Sequence, residues 1–205
     1  KLLDSKWTDD ELVRSRLSQE VEAWASLKDP RIVAQRLECE SGAVALASKW
    51  IDYQSLAEWF RGGHCLPPDG VSVLLRELIG VLASADARGL VHGDLRPASV
   101  LLDGRGEPKL VDMGLAKTLA HRHEEGQTIA GTIMGTPHYM SPEQASGSGE
   151  LDARSDLYSL GVVAFQMLAG ERPFSGLTPG AILIQQLKGP APPVRSKRPE
   201  CPAVI

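Results

Sequence analysis

Two aspartates sit where catalytic carboxylates could meet. Asp94 lies just after a β-like dipeptide, and Asp112 lies just after the second strand of a predicted hairpin, Val100 to Leu102 and Lys109 to Val111, joined by Asp103-Gly104-Arg105-Gly106. Such a hairpin carries both carboxylates to the same end of a small ribbon despite their separation in sequence. Two carboxylates converging on one cleft can divide labour: one accepts a proton, and the other holds a hard cation such as Mg²⁺ together with phosphate oxygens. Turn capping accounts for both aspartates equally well, so these two residues alone leave both readings open. A third carboxylate, Glu20, shares a helical face with Val13, Leu17 and Trp24. It therefore points toward buried surface and needs a cation. His121 and His123 have no cysteine nearby and read as solvated loop residues rather than a metal pair.

The elements that must position these groups follow from periodicity. Thr8 to Glu11 forms a capping box ahead of an amphipathic helix from about Asp9 to Leu27, which Pro30 stops. Two β-like runs, Arg31 to Leu37 and Ala43 to Trp50, make a hairpin. Ser55 and Glu58 form a second capping box opening a short helix that ends at Gly62-Gly63, and Val71 to Leu82 lie on a long helix closed by Gly89. From Asp112 to Gly149 the sequence predicts a long loop, of the length that usually carries function. Ser155 to Leu168 is a buried helix too short for a membrane, and Thr178-Pro179 opens the last helix.

Composition narrows the class. The chain has 205 residues, 42% hydrophobic and 23% charged, within the globular range. The net charge of -4 gives no global reason to expect a nucleic-acid partner. Three scattered cysteines, Cys39, Cys65 and Cys201, suggest neither a disulfide framework nor a zinc site and fit a reduced, cytoplasmic setting. No stretch is long and apolar enough to span a bilayer. The start, Lys1-Leu2-Leu3-Asp4, is no signal peptide, and without an initiating Met the chain reads as a piece of a longer protein with room for a membrane anchor or sensor domain elsewhere.

Ordered motifs decide between the readings. His92-Gly93-Asp94-Leu95-Arg96-Pro97-Ala98-Ser99 resembles the catalytic loop of protein kinases, and Asp112-Met113-Gly114 resembles their metal-binding triplet. Gly135 to Glu143 is similar to the end of a kinase activation segment. Asp156 to Gly161 with Gly170 to Phe174 is similar to the buried helix of the large lobe. The style of Met140-Ser141-Pro142-Glu143-Gln144 resembles bacterial serine/threonine kinases of the eukaryotic-like family.

The resemblance implies an α+β, bilobal protein-kinase-like fold. Residues 1–50 would be a partial small, β-rich lobe with one helix, and residues 51–205 a larger, mainly helical lobe. It also implies phosphoryl transfer from ATP, with Mg²⁺ or Mn²⁺, to Ser or Thr of protein substrates. Asp94 would be the base, Arg96 would sit at the γ-phosphate, and Thr136 would bond the catalytic aspartate. Asp112 would be the principal metal ligand, with Ser99 where the family has its second, asparagine ligand. Lys1 would pair with Glu20 and hold the α- and β-phosphates, Lys49 and Trp50 would lie at the adenine hinge, and Leu101 would be the apolar floor. On this alignment the Gly-rich loop falls upstream of Lys1 and the last helices fall downstream, including the arginine that pairs with the glutamate matched by Glu143.

Several residues depart from the family pattern. Arg96 replaces lysine, Ser99 replaces asparagine, and Met113 replaces phenylalanine. Gly93 replaces the arginine that reads a phosphorylated loop, which removes that switch even if Thr128 or Thr132 is modified. These departures raise a rival reading, a pseudokinase that binds nucleotide or scaffolds partners with little or no catalysis. A third, a purely structural helical domain, predicts no stabilisation by Mg-ATP.

Overall fold

Periodicity in the first helix translates directly into burial. A computed structural model of the chain describes residues 11–40, 43–48, 50, 52–113, 136–147 and 151–202. Helix α1 (Glu11–Ala25) buries Val13, Leu17, Val21 and Trp24, the stripe set by three- and four-residue spacing. Its predicted cap, Thr8, lies outside the described residues. Strands β1 (Gln35–Glu40) and β2 (Ala43–Ser48) form an antiparallel hairpin in which Leu37 faces Leu46. Val44 and Leu46, two apart and so on one face, are buried.

The segment Arg31 to Val33 departs from the sequence expectation. It was expected to open the first hairpin strand; instead Ile32 bridges Leu110 in parallel, with Val33 N donating to the Leu110 carbonyl and Leu110 N to that of Arg31. Arg31 itself donates to both carboxylate oxygens of Asp29 and, at 2.9 Å, to Glu77. These contacts tie the chain after α1 to a helix beginning more than thirty residues later, a tertiary demand that local alternation does not carry.

A second small sheet runs β3 (Gln54–Ser55), β4 (Val100–Leu102), β5 (Pro108–Leu110), all antiparallel. Strand β5 starts one residue earlier than expected, with Pro108 at its first position, where its missing N–H disturbs the ladder least. The expected capping box at Ser55 and Glu58 is present with both reciprocal bonds and opens α2 (Leu56–Arg61). Helix α3 (Pro68–Asp86) and helix α5 (Ala153–Ala169) pack against each other. Their apolar faces share one core with Trp24, Leu56, Val100, Leu110 and Met113. A short α4 (Pro142–Ser146) precedes α5, and α6 (Pro179–Lys188), capped by Thr178, follows it. Together these elements make the expected α+β fold, with small antiparallel sheets and mainly helical packing behind them. Among the described residues no helix is long and apolar enough to cross a membrane.

Candidate active site

The loop between α3 and β4 has no ladder of its own, so its backbone groups must find partners elsewhere. The buried carboxylate of Asp156, on the first turn of α5, accepts the N–H of His92 at 2.7 Å and of Gly93 at 2.8 Å. Asp156 is only 3% exposed. Burial pushes its pKa up, against the opposing pull of the His92 ring and the two N–H groups. From the other side, Gln144 Nε2 donates to the Gly93 carbonyl at 2.6 Å. Gly93, thus held on both faces, has φ +75°, a conformation that suits glycine.

His92 is fully buried and connects the two halves of the site. Asp94 N donates to its Nδ1 at 3.3 Å, so Nδ1 is an acceptor and Nε2 carries the proton it gives to the Val111 carbonyl, 3.2 Å away. Trp24 of α1 meets the imidazole edge-on, with centroids 6.3 Å apart. Val111 N donates to the Ser99 carbonyl at 3.0 Å. The residue just before Asp112 is therefore bonded both to the start of the Asp94 loop and to its end. Asp112 itself has φ +62°, unusual for a non-glycine residue though best tolerated by Asp and Asn, and accepts from Gln35 Nε2 at 3.5 Å.

The structure brings Asp94, Arg96 and Thr136 together. Arg96 Nε lies 3.1 Å from an Asp94 carboxylate oxygen, and its guanidinium reaches Thr136 Oγ1 at 3.5 Å. Both side chains of the ion pair are about a third exposed, so the pair orients more than it stabilises. Ser99 is in the same loop but turns inward. It is 1% exposed, its Oγ accepts from Arg96 N at 2.9 Å, and it donates to the Arg96 carbonyl at 2.8 Å. Its hydroxyl is committed to the loop's own backbone.

Of the remaining expected residues, Glu20, Trp50 and Leu101 are among those described. Glu20 is half-buried on the α1 face that carries Leu17 and Trp24. Its expected partner Lys1 and the hinge residue Lys49 lie outside the described residues, as do His121, His123, Thr128 and Thr132. Trp50 is 90% exposed. Leu101 is half-buried in β4, opposite Ser55 and Lys109.

Sequence reasoning placed Asp156 in a motif without assigning it a role. The available signal was a carboxylate inside a helix otherwise apolar on nearly every side. Glu143 was expected to await an arginine downstream. Among the described residues it accepts from the Ser155 hydroxyl. Burial alone would raise its pKa, but that hydroxyl, its own N–H and Ser141 outweigh burial and hold it below the usual carboxylate value. Tyr139 Oη donates to Gln166 Oε1 at 2.6 Å, a contact with no local sequence signal.

The donor chemistry fits a hard divalent cation. Asp112 offers carboxylate oxygens at the end of β5, half-open to solvent, with the Asp94 loop bonded to its neighbour. Among the described residues no cluster of three or more His, Cys, Asp or Glu forms a protein-only metal site, so such an ion would need oxygens from elsewhere.

Comparison with known proteins shows the family. The protein kinase domain family model matches residues 1–197. Serine/threonine-protein kinase PknL of Mycobacterium tuberculosis is 35% identical over 193 residues, covering 94% of this chain and 47% of its own. Serine/threonine-protein kinase PrkC of Bacillus subtilis is 30% identical over 96% of this chain and 30% of its own length. Probable serine/threonine-protein kinase PknB of Lactococcus lactis is 31% identical across 100% of this chain and 32% of its own. The chain thus spans between about a third and about half of these relatives, and none of their names supports a non-catalytic scaffold. With the motifs, the anchored aspartate loop and these relatives in agreement, the chain belongs to the protein kinase family, as a domain of the bacterial serine/threonine type.

Proposed function

We propose that the domain transfers the γ-phosphoryl group of ATP to serine or threonine hydroxyls of proteins. The observation that carries this reading is the Asp94 carboxylate beside Arg96 and Thr136, on a loop whose backbone is pinned by Asp156 and Gln144. A general base must be placed before its pKa matters, and this loop leaves Asp94 little freedom. Asp94 would accept the acceptor hydroxyl's proton while Arg96 holds charge near the transferred group. Asp112 would hold Mg²⁺, which when bound supplies neutralisation of phosphate charge. Buried Ser99 braces the Arg96 peptide, so a metal ion would be held chiefly by Asp112. Lys1 with Glu20, the hinge around Lys49 and Trp50, and Leu101 would form the nucleotide side, with residues 1–50 as the small lobe and 51–205 as the large one. We assign the domain to the cytoplasm, where ATP and protein acceptors meet. The test is transfer of labelled γ-phosphate from Mg-ATP to a generic protein acceptor by the full-length protein. Asp94→Asn and Asp112→Asn should each reduce transfer by at least a hundredfold, and wild-type-like turnover in either removes the assignment.

A further inference from the structure

Beside the Asp94 loop lies an open cavity of about 300 Å³. Arg96, Pro97, Ala98 and Thr136 form the wall it shares with the proposed site, and Phe60, Tyr139 and Gln166 supply much of the rest. Its charge is one-sided. The guanidinium-bearing residues Arg61, Arg96 and Arg172, from α2, the Asp94 loop and the segment after α5, all line it, and among the described residues no Asp or Glu does. Arg96 is partly neutralised by Asp94. Arg61 and Arg172 are exposed, and among the described residues neither is in an ion pair.

Apart from Asp94, the carboxylates that flank these arginines in sequence bond to other groups. Glu58 on α2 turns to the N–H and hydroxyl of Ser55, and Glu171 pairs with Lys197 at 2.8 Å. Arg172 acts on the same region: burial first and Arg172 second hold the His138 pKa below its usual value, and burial pushes the Tyr139 hydroxyl up with Arg172 opposing it. A cleft with cations on its rim and aromatic rings in its walls focuses positive potential, here on a chain whose net charge is -4. Its occupant must also lie within reach of Asp94.

We infer that this cavity takes acidic side chains flanking the acceptor hydroxyl, so that the domain selects Ser or Thr segments rich in Asp and Glu over basic ones. The inference rests on the proposed kinase activity for its meaning, but binding tests it separately. The experiment uses the full-length protein and two fluorescent peptides with one central serine, flanked by glutamates in one and lysines in the other. Anisotropy should show the glutamate peptide binding at least tenfold more tightly, about 1.4 kcal/mol. Arg61→Glu with Arg172→Glu, both at exposed positions and so compatible with folding, should reverse the order.

Equal binding, tighter binding of the lysine peptide to the wild type, or an order unchanged by the double charge reversal overturns the inference. Transfer from Mg-ATP is measured in parallel. Absent transfer with the binding order intact removes the kinase reading while sustaining the acidic-segment site. Transfer without charge discrimination in binding sustains the first and removes the second.

Discussion

Replacing Asp156 should loosen the Asp94 loop without touching Asp94. Its carboxylate accepts two backbone N–H groups, from His92 and Gly93, and both residues are buried. In Asp156→Ala these donors face apolar surroundings without an acceptor, and each unsatisfied buried donor costs about 1 to 3 kcal/mol, or about 2 to 6 together. Part of that loss is offset because the wild-type carboxylate is incompletely compensated for its own burial, the same effect that raises its pKa. A net loss of about 3 kcal/mol follows, a large share of the ~5 to 15 kcal/mol that holds a typical domain. Asp156→Asn keeps one acceptor oxygen and no charge, so about 1 to 2 kcal/mol is expected, which keeps the domain folded. Urea unfolding measures the stability loss, and hydrogen exchange at the His92 and Gly93 amides measures where it arises. Both amides should lose protection selectively in Asp156→Asn. Protection unchanged at both, with a stability loss under about 0.5 kcal/mol, would refute the reasoning.

Two further perturbations test the scaffold. Arg31 holds Asp29 below the usual carboxylate value of 3.8 through its side-chain hydrogen bond, against the opposing effect of burial. The stability from this pair is present above 3.8 and is lost as pH falls through the depressed folded value. Asp29→Asn should therefore cost about 1 to 2 kcal/mol at neutral pH. Urea midpoints for the two proteins should converge in acid, and a gap that stays constant contradicts the pairing. Gly93→Ala forces a β-carbon into φ +75° and should cost about 1 to 2 kcal/mol by thermal or urea unfolding; a neutral result would mean that the loop backbone is not held there.

What the sequence disclosed depended on how local each signal was. Helices α1, α3 and α5 follow from side-chain spacing that any folded context must honour, and the Ser55–Glu58 box forms because its partners are three residues apart. The bonds that join the Asp94 loop to Val111, the residue before Asp112, suit the short hairpin that links the two segments. By contrast, Arg31 to Val33 has an apolar pattern that suits either hairpin or β5. Only contact with Leu110 and Glu77 selects between them. Ser99 could be placed by motif, but a motif records position and not where a hydroxyl points. Its burial against the Arg96 peptide comes from the tight turn Pro97–Ser99.

Asp156 shows the same limit at the centre of the site. Spacing alone puts it on a buried helix, where an unpaired carboxylate would be costly. Nothing nearby names its partners, which lie 63 and 64 residues upstream. The apparent conflict, an acid in an apolar helix, resolves because backbone N–H groups serve where a cation might have been sought. This arrangement also explains how the loop can carry Gly93 in place of a larger residue. Asp156 holds the N–H side, Gln144 holds the carbonyl side, and His92 links the loop to Val111. The backbone that carries Asp94 is thus fixed mainly by groups that would never touch a substrate. Changes at Asp156 or Gln144 should therefore alter the placement of the reacting groups more than their chemical identity, which is why exchange at the loop amides is the more direct test of the site's construction.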